Sequence, residues 1–312
     1  MPAKSLPPQG NAKKTSSPAR TVKYLGLANQ FTNSEAILKD IRDLAARGEF
    51  IMGKAVTDFE TRFAKYTGVK HAIAVANGTD ALFLLLKAAG VEPGDEVITA
   101  PNSFVASAGA IVQLGAIPVF ADVGPDYNIN PSKVQAAITG KTKAIIPVHF
   151  AGRSADMPRL LGLAKKHGLR VMEDAAHALP TTCDGQMVGA LASDVTVFSF
   201  YANKTITTGE GGMLVTRDPE IAKRARVMRL HGINRDAFDR FTSKAPSWYY
   251  EIVAPGFKYN MTDIAASMGI HQLKKASLFQ KQRAHIASLY DQAFKELPLI
   301  LPPHAETGDI HS

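Results

Sequence analysis

Apolar and polar residues follow one rhythm along most of this chain. From residue 70 onward, short apolar runs alternate with amphipathic stretches. The runs are 72–76 (AIAVA), 96–100 (EVITA), 117–121 (IPVFA), 143–148 (KAIIPV), 169–173 (LRVME), 195–200 (VTVFSF) and 212–216 (GMLVT). Their length and β-branched content predict buried strands. Between most of them lie helix-like segments such as DALFLLLKAAG, FVASAGAIVQLG, PSKVQAAI and MPRLLGLAKKHG. Such alternation predicts an α/β fold, a mostly parallel sheet wrapped by helices, whose ligands gather beyond the carboxyl ends of the strands. Upstream, 33–66 reads as helices broken near GEFIMGKAV; downstream, 218–231 and 262–296 carry helical periodicity. An irregular aromatic segment separates the last two.

Composition narrows this picture. At 46% apolar residues the 312-residue chain can bury a large core, and no uninterrupted apolar stretch of about 18 residues predicts a membrane span. The single cysteine, Cys183, rules out a disulfide framework and suits a reducing cytoplasm. Of the net charge of +8, five positive charges fall in residues 1–23, which contain no acid. That Pro-, Ser- and Lys-rich stretch reads as a disordered basic tail, without the apolar core of a secretory signal. A tail of this kind gives weak, salt-sensitive nucleic-acid binding at most.

Three strand ends, and the aromatic Phe104 just after the second run, carry candidate chemistry. After the first run comes Asn77-Gly78-Thr79-Asp80, opening a helix whose N–H groups suit an anion, with Thr79 or Asp80 as the expected cap. Asp174 ends the fifth run, and His177 follows three residues later. Ser199 lies near the end of the sixth run, and Lys204 sits five residues on, ahead of a glycine-rich turn. Taken singly, each has a plain reading: a cap, a satisfied Asp–His pair, a buried hydroxyl, a solvated amine. Taken together with the aromatic Phe104, they match what pyridoxal phosphate needs. Its aldehyde needs a lysine, its ring nitrogen a carboxylate, its phosphate N–H and hydroxyl donors, and its ring a flat neighbour. No metal is called for.

The order Gly-Thr-Asp, aromatic, EDAAH, SFxxxK and TxGEGG, with VHFAGRSADM, EDAAHALPTTCDGQMVGA and GFKYNMTDIAAS, resembles the DegT/DnrJ/EryC1/StrS family over about residues 24 to 300. Within it the motifs look closest to the UDP-4-amino-4-deoxy-L-arabinose–oxoglutarate aminotransferase branch. The resemblance implies a fold-type I transferase with a seven-stranded sheet, a large domain over 24–270, and the start of a small C-terminal domain over 271–312. Family members continue for some tens of residues more, so the resemblance implies an incomplete small domain. It implies that Lys204 bonds the cofactor aldehyde and later moves the substrate proton. Asp174 then pairs with the ring nitrogen, His177 lies near the phenolic oxygen, and Phe104 stacks on the ring. Gly78, Thr79 and Ser199 hold the phosphate, and Asn260 reaches the phosphate in the neighbouring subunit of a homodimer with shared sites. The implied reaction moves the amine of glutamate, leaving 2-oxoglutarate, onto a 4-keto nucleotide sugar for cell-surface polysaccharide or lipid A. Related dehydratases carry histidine at the lysine position, so Lys204 argues against dehydration; a catalytically impaired scaffold is the remaining alternative. Lys258 and Arg229 are candidates for the sugar diphosphate, His231 is expected to be structural, and Trp248, Tyr249, Tyr250 and Phe257 are expected to form core, dimer interface or a lid.

Overall fold

The structure is a computed structural model that describes residues 26–234, 250–303 and 309–312. The basic tail, Trp248 and Tyr249 lie outside the described residues. The chain falls into two compact units, residues 1–32 and 33–312. The first is described only in part and contains the short helix α1 (Leu27–Gln30).

The second unit holds everything else. All seven predicted strands form: β1 (His71–Val75), β2 (Glu96–Thr99), β3 (Ile117–Phe120), β4 (Thr142–Ile146), β5 (Arg170–Asp174), β8 (Val195–Ser199) and β9 (Gly212–Thr216). They make one sheet in the order β1-β9-β8-β5-β4-β2-β3. Strand β9 runs antiparallel to both β1 and β8; the other pairings are parallel. Two further strands, β6 (Thr182–Cys183) and β7 (Gln186–Met187), make a separate hairpin that the apolar pattern does not predict. They are joined by Asp184-Gly185, both at positive φ (51° and 72°), the turn that matches strand twist.

The helices are α2 (Glu35–Arg47), α3 (Lys54–Thr67), α4 (Gly78–Ala88), α5 (Val105–Gln113), α6 (Pro131–Ala137), α7 (Met157–His167), α8 (Pro219–Met228), α9 (Asp263–Leu273) and α10 (Ala276–Phe294). The expected domain boundary after residue 270 falls inside α9. Successive residues of β1 feed opposite layers, Ala72 and Ala74 one core and Ile73 and Val75 the other. That is the period-2 consequence of a strand buried on both faces. One layer centres on Phe59, Phe63, Phe198 and Phe200, with ring centroids 5.1–6.0 Å apart. The other surrounds α4, whose run Ala81–Leu86 is wholly buried, so this helix shows little amphipathic signal.

Two buried polar contacts tie distant segments together. The Asp263 carboxylate accepts from the N–H groups of Gly53 (2.9 Å) and Val56 (3.4 Å), capping α3 from the start of α9. Arg229, only 3% exposed, donates through Nη1 to Glu60 and to the Ala74 carbonyl (2.8 Å), while Glu60 accepts from the Ala74 N–H (2.8 Å). Arg229 is therefore a structural residue rather than a diphosphate contact, correcting the expectation from sequence. Arg229→Met strands the Glu60 charge, and we expect a loss of about 3–5 kcal/mol in denaturant unfolding; an unchanged midpoint would show the pair to be dispensable. Phe257 also belongs to the core, its ring edge-on to Phe83 at 5.1 Å, and the His231 N–H donates to the Phe257 carbonyl (2.8 Å).

Candidate active site

The candidate residues gather where the parallel strands end. Strand β5 carries Asp174 to its last position, 5% exposed. Its backbone is bracketed by the facing loop: Asp174 N–H donates to the Pro147 carbonyl (2.9 Å), and His149 N–H donates to the Asp174 carbonyl (3.0 Å). Its carboxylate accepts from Ser107 Oγ (2.8 Å) and from the Ala176 N–H (3.1 Å). A buried carboxylate with two donors is fixed in direction, and its polar atoms are satisfied. Ser107 was not singled out from sequence, because one serine among the small residues of α5 carries no pattern. It lies one turn after Phe104, the N-cap of α5, whose ring is 75% exposed.

Glu173, the preceding residue, faces the other way. It accepts from His149 Nε2 (2.8 Å) and from the hydroxyls of Thr196 (2.7 Å) and Ser193. His149 Nδ1 accepts the Ala155 N–H (3.1 Å), so the proton of this neutral ring is on Nε2. This largely buried network locks the end of β5 beneath Asp174.

Lys204 sits in the loop between β8 and β9. The loop folds back on Phe200, whose carbonyl accepts from the Thr208 N–H (3.0 Å) and Thr207 Oγ1 (3.1 Å). The amine is half-buried. Desolvation holds its pKa below the ordinary 10.5, and the negative charge of Asp174 only partly opposes that shift. The His177 imidazole is likewise lowered, first by burial and then by the charge of Lys204. Lys204, Asp174 and His177 thus form one electrostatic unit. Lys204 and His177 share a cavity with Asn203, Thr205, Arg283 and Ser312.

The anion-suited corner lies at the start of α4. Its cap is Asn77, whose Oδ1 accepts the Asp80 N–H (2.8 Å). This corrects the expectation of Thr79 or Asp80, and it leaves the Thr79 side chain exposed. The other first-turn N–H groups have no intrahelical acceptor. A Cβ on Gly78 would meet Ser199 Cβ at 2.9 Å and Oγ at 3.1 Å, which puts the strand-end hydroxyl beside the helix start. Gly212 faces Val75 and Ser199 across its two strand partners, and a Cβ there would meet the Asn77 carbonyl oxygen at 2.4 Å. Gly212→Ala must therefore push α4 away. We expect a loss of about 1–3 kcal/mol in urea unfolding, together with weaker pyridoxal phosphate binding; unchanged values for both would exclude this close approach. Asn260, 7% exposed, pairs by backbone with Val75 of its own chain, and its Oδ1 accepts from Lys258 Nζ.

These residues fit pyridoxal phosphate. A depressed amine and a buried, doubly held carboxylate face one site, and a hydroxyl and free helix N–H groups lie at the adjoining strand ends. Among the described residues no cluster of His, Cys, Asp and Glu suits a metal, and no helix is long and apolar enough to cross a membrane.

Known proteins give the same picture. The model of the DegT/DnrJ/EryC1/StrS aminotransferase family matches residues 32–312. The chain is 47% identical over 276 residues to the spore coat polysaccharide biosynthesis protein SpsC of Bacillus subtilis, covering 88% of this chain and 70% of SpsC. Helicobacter pylori PseC, an aminotransferase involved in the biosynthesis of pseudoaminic acid, superposes with a TM-score of 0.79 at 33% identity, covering 85% of this chain and 69% of PseC. DesV of S. venezuelae gives 0.85 at 32% identity over 93% and 75% of the two chains. Fold, site and relatives agree: this chain belongs to the DegT/DnrJ/EryC1/StrS family of pyridoxal-phosphate-dependent aminotransferases.

Proposed function

We propose that this aminotransferase moves the amino group of glutamate onto a keto nucleotide sugar, 4-keto and UDP-linked, in making a cell-surface polysaccharide or modifying lipid A. The observation that carries the reading is the pairing of a depressed Lys204 amine with a held Asp174 carboxylate at one strand-end site. The sugar class is supported by the relatives, since SpsC is named for polysaccharide biosynthesis and PseC for pseudoaminic acid.

When bound, pyridoxal phosphate supplies an electron sink for a substrate C–H bond. The chain supplies the rest. Asp174 holds a proton on the ring nitrogen, its orientation fixed by Ser107 and the Ala176 N–H. Gly78, Thr79 and Ser199 would hold the phosphate, Phe104 would stack on the ring, and His177 would face its phenolic oxygen. Lys204 Nζ carries the proton on and off the reacting carbon, which requires the amine to be free near neutral pH. Asn260 completes the phosphate site of a partner subunit in a homodimer.

The test is direct. Isotopically labelled glutamate and a UDP-4-keto sugar are incubated with the cofactor-loaded chain, and the sugar is analysed by mass spectrometry. Label in the sugar supports the reading; transfer from no amino acid to any keto sugar by the folded chain would sink it.

A further inference from the structure

One wall of the Lys204 cavity has no part in the roles assigned above. Helix α10 presents Arg283 there. Its Nη2 donates to the carbonyl of Thr205, the residue after Lys204, at 3.3 Å. Its guanidinium also lies 5.9 Å from the centre of the Phe279 ring, one turn earlier on the helix. These contacts fix the plane of the group. Nη1, by contrast, is shielded from solvent and has no acceptor among the described residues. A buried donor without a partner is costly, and a guanidinium does not escape by losing its charge near neutral pH. Burial lowers the pKa of Arg283, and no neighbouring acid opposes that shift. None of the cavity's lining side chains is acidic. The cavity therefore has an amine on one side and, on another, a guanidinium whose Nη1 lacks an acceptor among the described residues.

We propose that Arg283 binds the distal carboxylate of a dicarboxylic amino donor, and of the keto acid formed from it, while the amino end faces Lys204. The proposal deepens the glutamate reading and rests on it. A planar guanidinium with a free N–H edge matches a carboxylate in geometry as well as charge.

The experiment uses the full, cofactor-loaded chain and calorimetric titration with glutarate and butyrate. Neither has an amine, so no transfer occurs. The wild-type chain is expected to bind glutarate at least about tenfold more tightly than butyrate, as one charge-assisted contact allows. Arg283→Gln is expected to lose that preference. Because Thr205 loses a donor in this variant, it is compared at equal borohydride labelling of Lys204. Arg283→Lys keeps the charge without the fork, so an intermediate preference is expected. An unaltered preference in either variant overturns the assignment, and the lysine variant decides if the glutamine variant does not fold. A loss of UDP affinity with glutarate preference intact also overturns it, giving Arg283 to the nucleotide diphosphate instead. Arg283-dependent glutarate binding without label transfer from glutamate would remove the donor reading alone.

Discussion

Lys204→Ala is expected to reduce amine transfer by about 10³–10⁴-fold or more, because no other amine lines the cavity to move the substrate proton. Pyridoxal phosphate should still bind, but borohydride should no longer attach it to the peptide containing residue 204. The fold should not suffer. Lys204 has a folded-state pKa below its unfolded value, so between that lowered value and 10.5 the unfolded chain holds more protons and stability rises with pH. Below that window the half-buried ammonium is a cost. The alanine variant should therefore be at least as stable as the wild type at neutral pH and should lack the alkaline gain. Wild-type labelling should rise with pH and level off before 10.5. Turnover within tenfold of wild type, or a label on another lysine, would place the chemistry elsewhere.

Asp174→Asn is expected to lower transfer by about 10²–10⁴-fold while leaving the fold intact. The amide can accept the Ala176 N–H with its oxygen and donate to Ser107 Oγ with its nitrogen, so both neighbours keep a partner. What disappears is the charge. Asp174 raises the pKa of both Lys204 and His177, so its removal should lower both further. The pH profile of Lys204 labelling should then move to lower pH even as transfer falls. Loss of rate without that movement would mean a distorted site rather than a missing charge. Wild-type rates would remove Asp174 from the ring nitrogen.

The strands were legible because buried parallel strands are apolar on both faces and end abruptly. Their order was not. Strand β9 follows β8 in sequence and inserts between it and β1, a pairing that no local pattern encodes. The β6–β7 hairpin carried its Asp-Gly turn signal but had only two residues on each side, too few to alternate. Lys204 and Asp174 stood out through their motifs. Ser107 and Arg283 did not, since each matters through a contact made from a distant helix. Arg229 was misread because an arginine looks the same in sequence whether it meets solvent, a ligand or Glu60.

The order of the sheet leaves two outer strands, β1 and β3, each with a side that no neighbouring strand of the sheet covers. Such sides are templates for unwanted pairing with other chains. The contacts of Ala74 with Glu60 and Arg229 occupy one of them, and the backbone bridge between Val75 and Asn260 extends that cover. On β3, which exposes Ile117 and Phe120, Pro118 removes an N–H from the strand. The same ion pair that holds α3 to the sheet thus also guards against self-association: any opening of α3 uncovers a pairing-competent strand, whereas the proline at the other margin protects whether or not its neighbours stay folded.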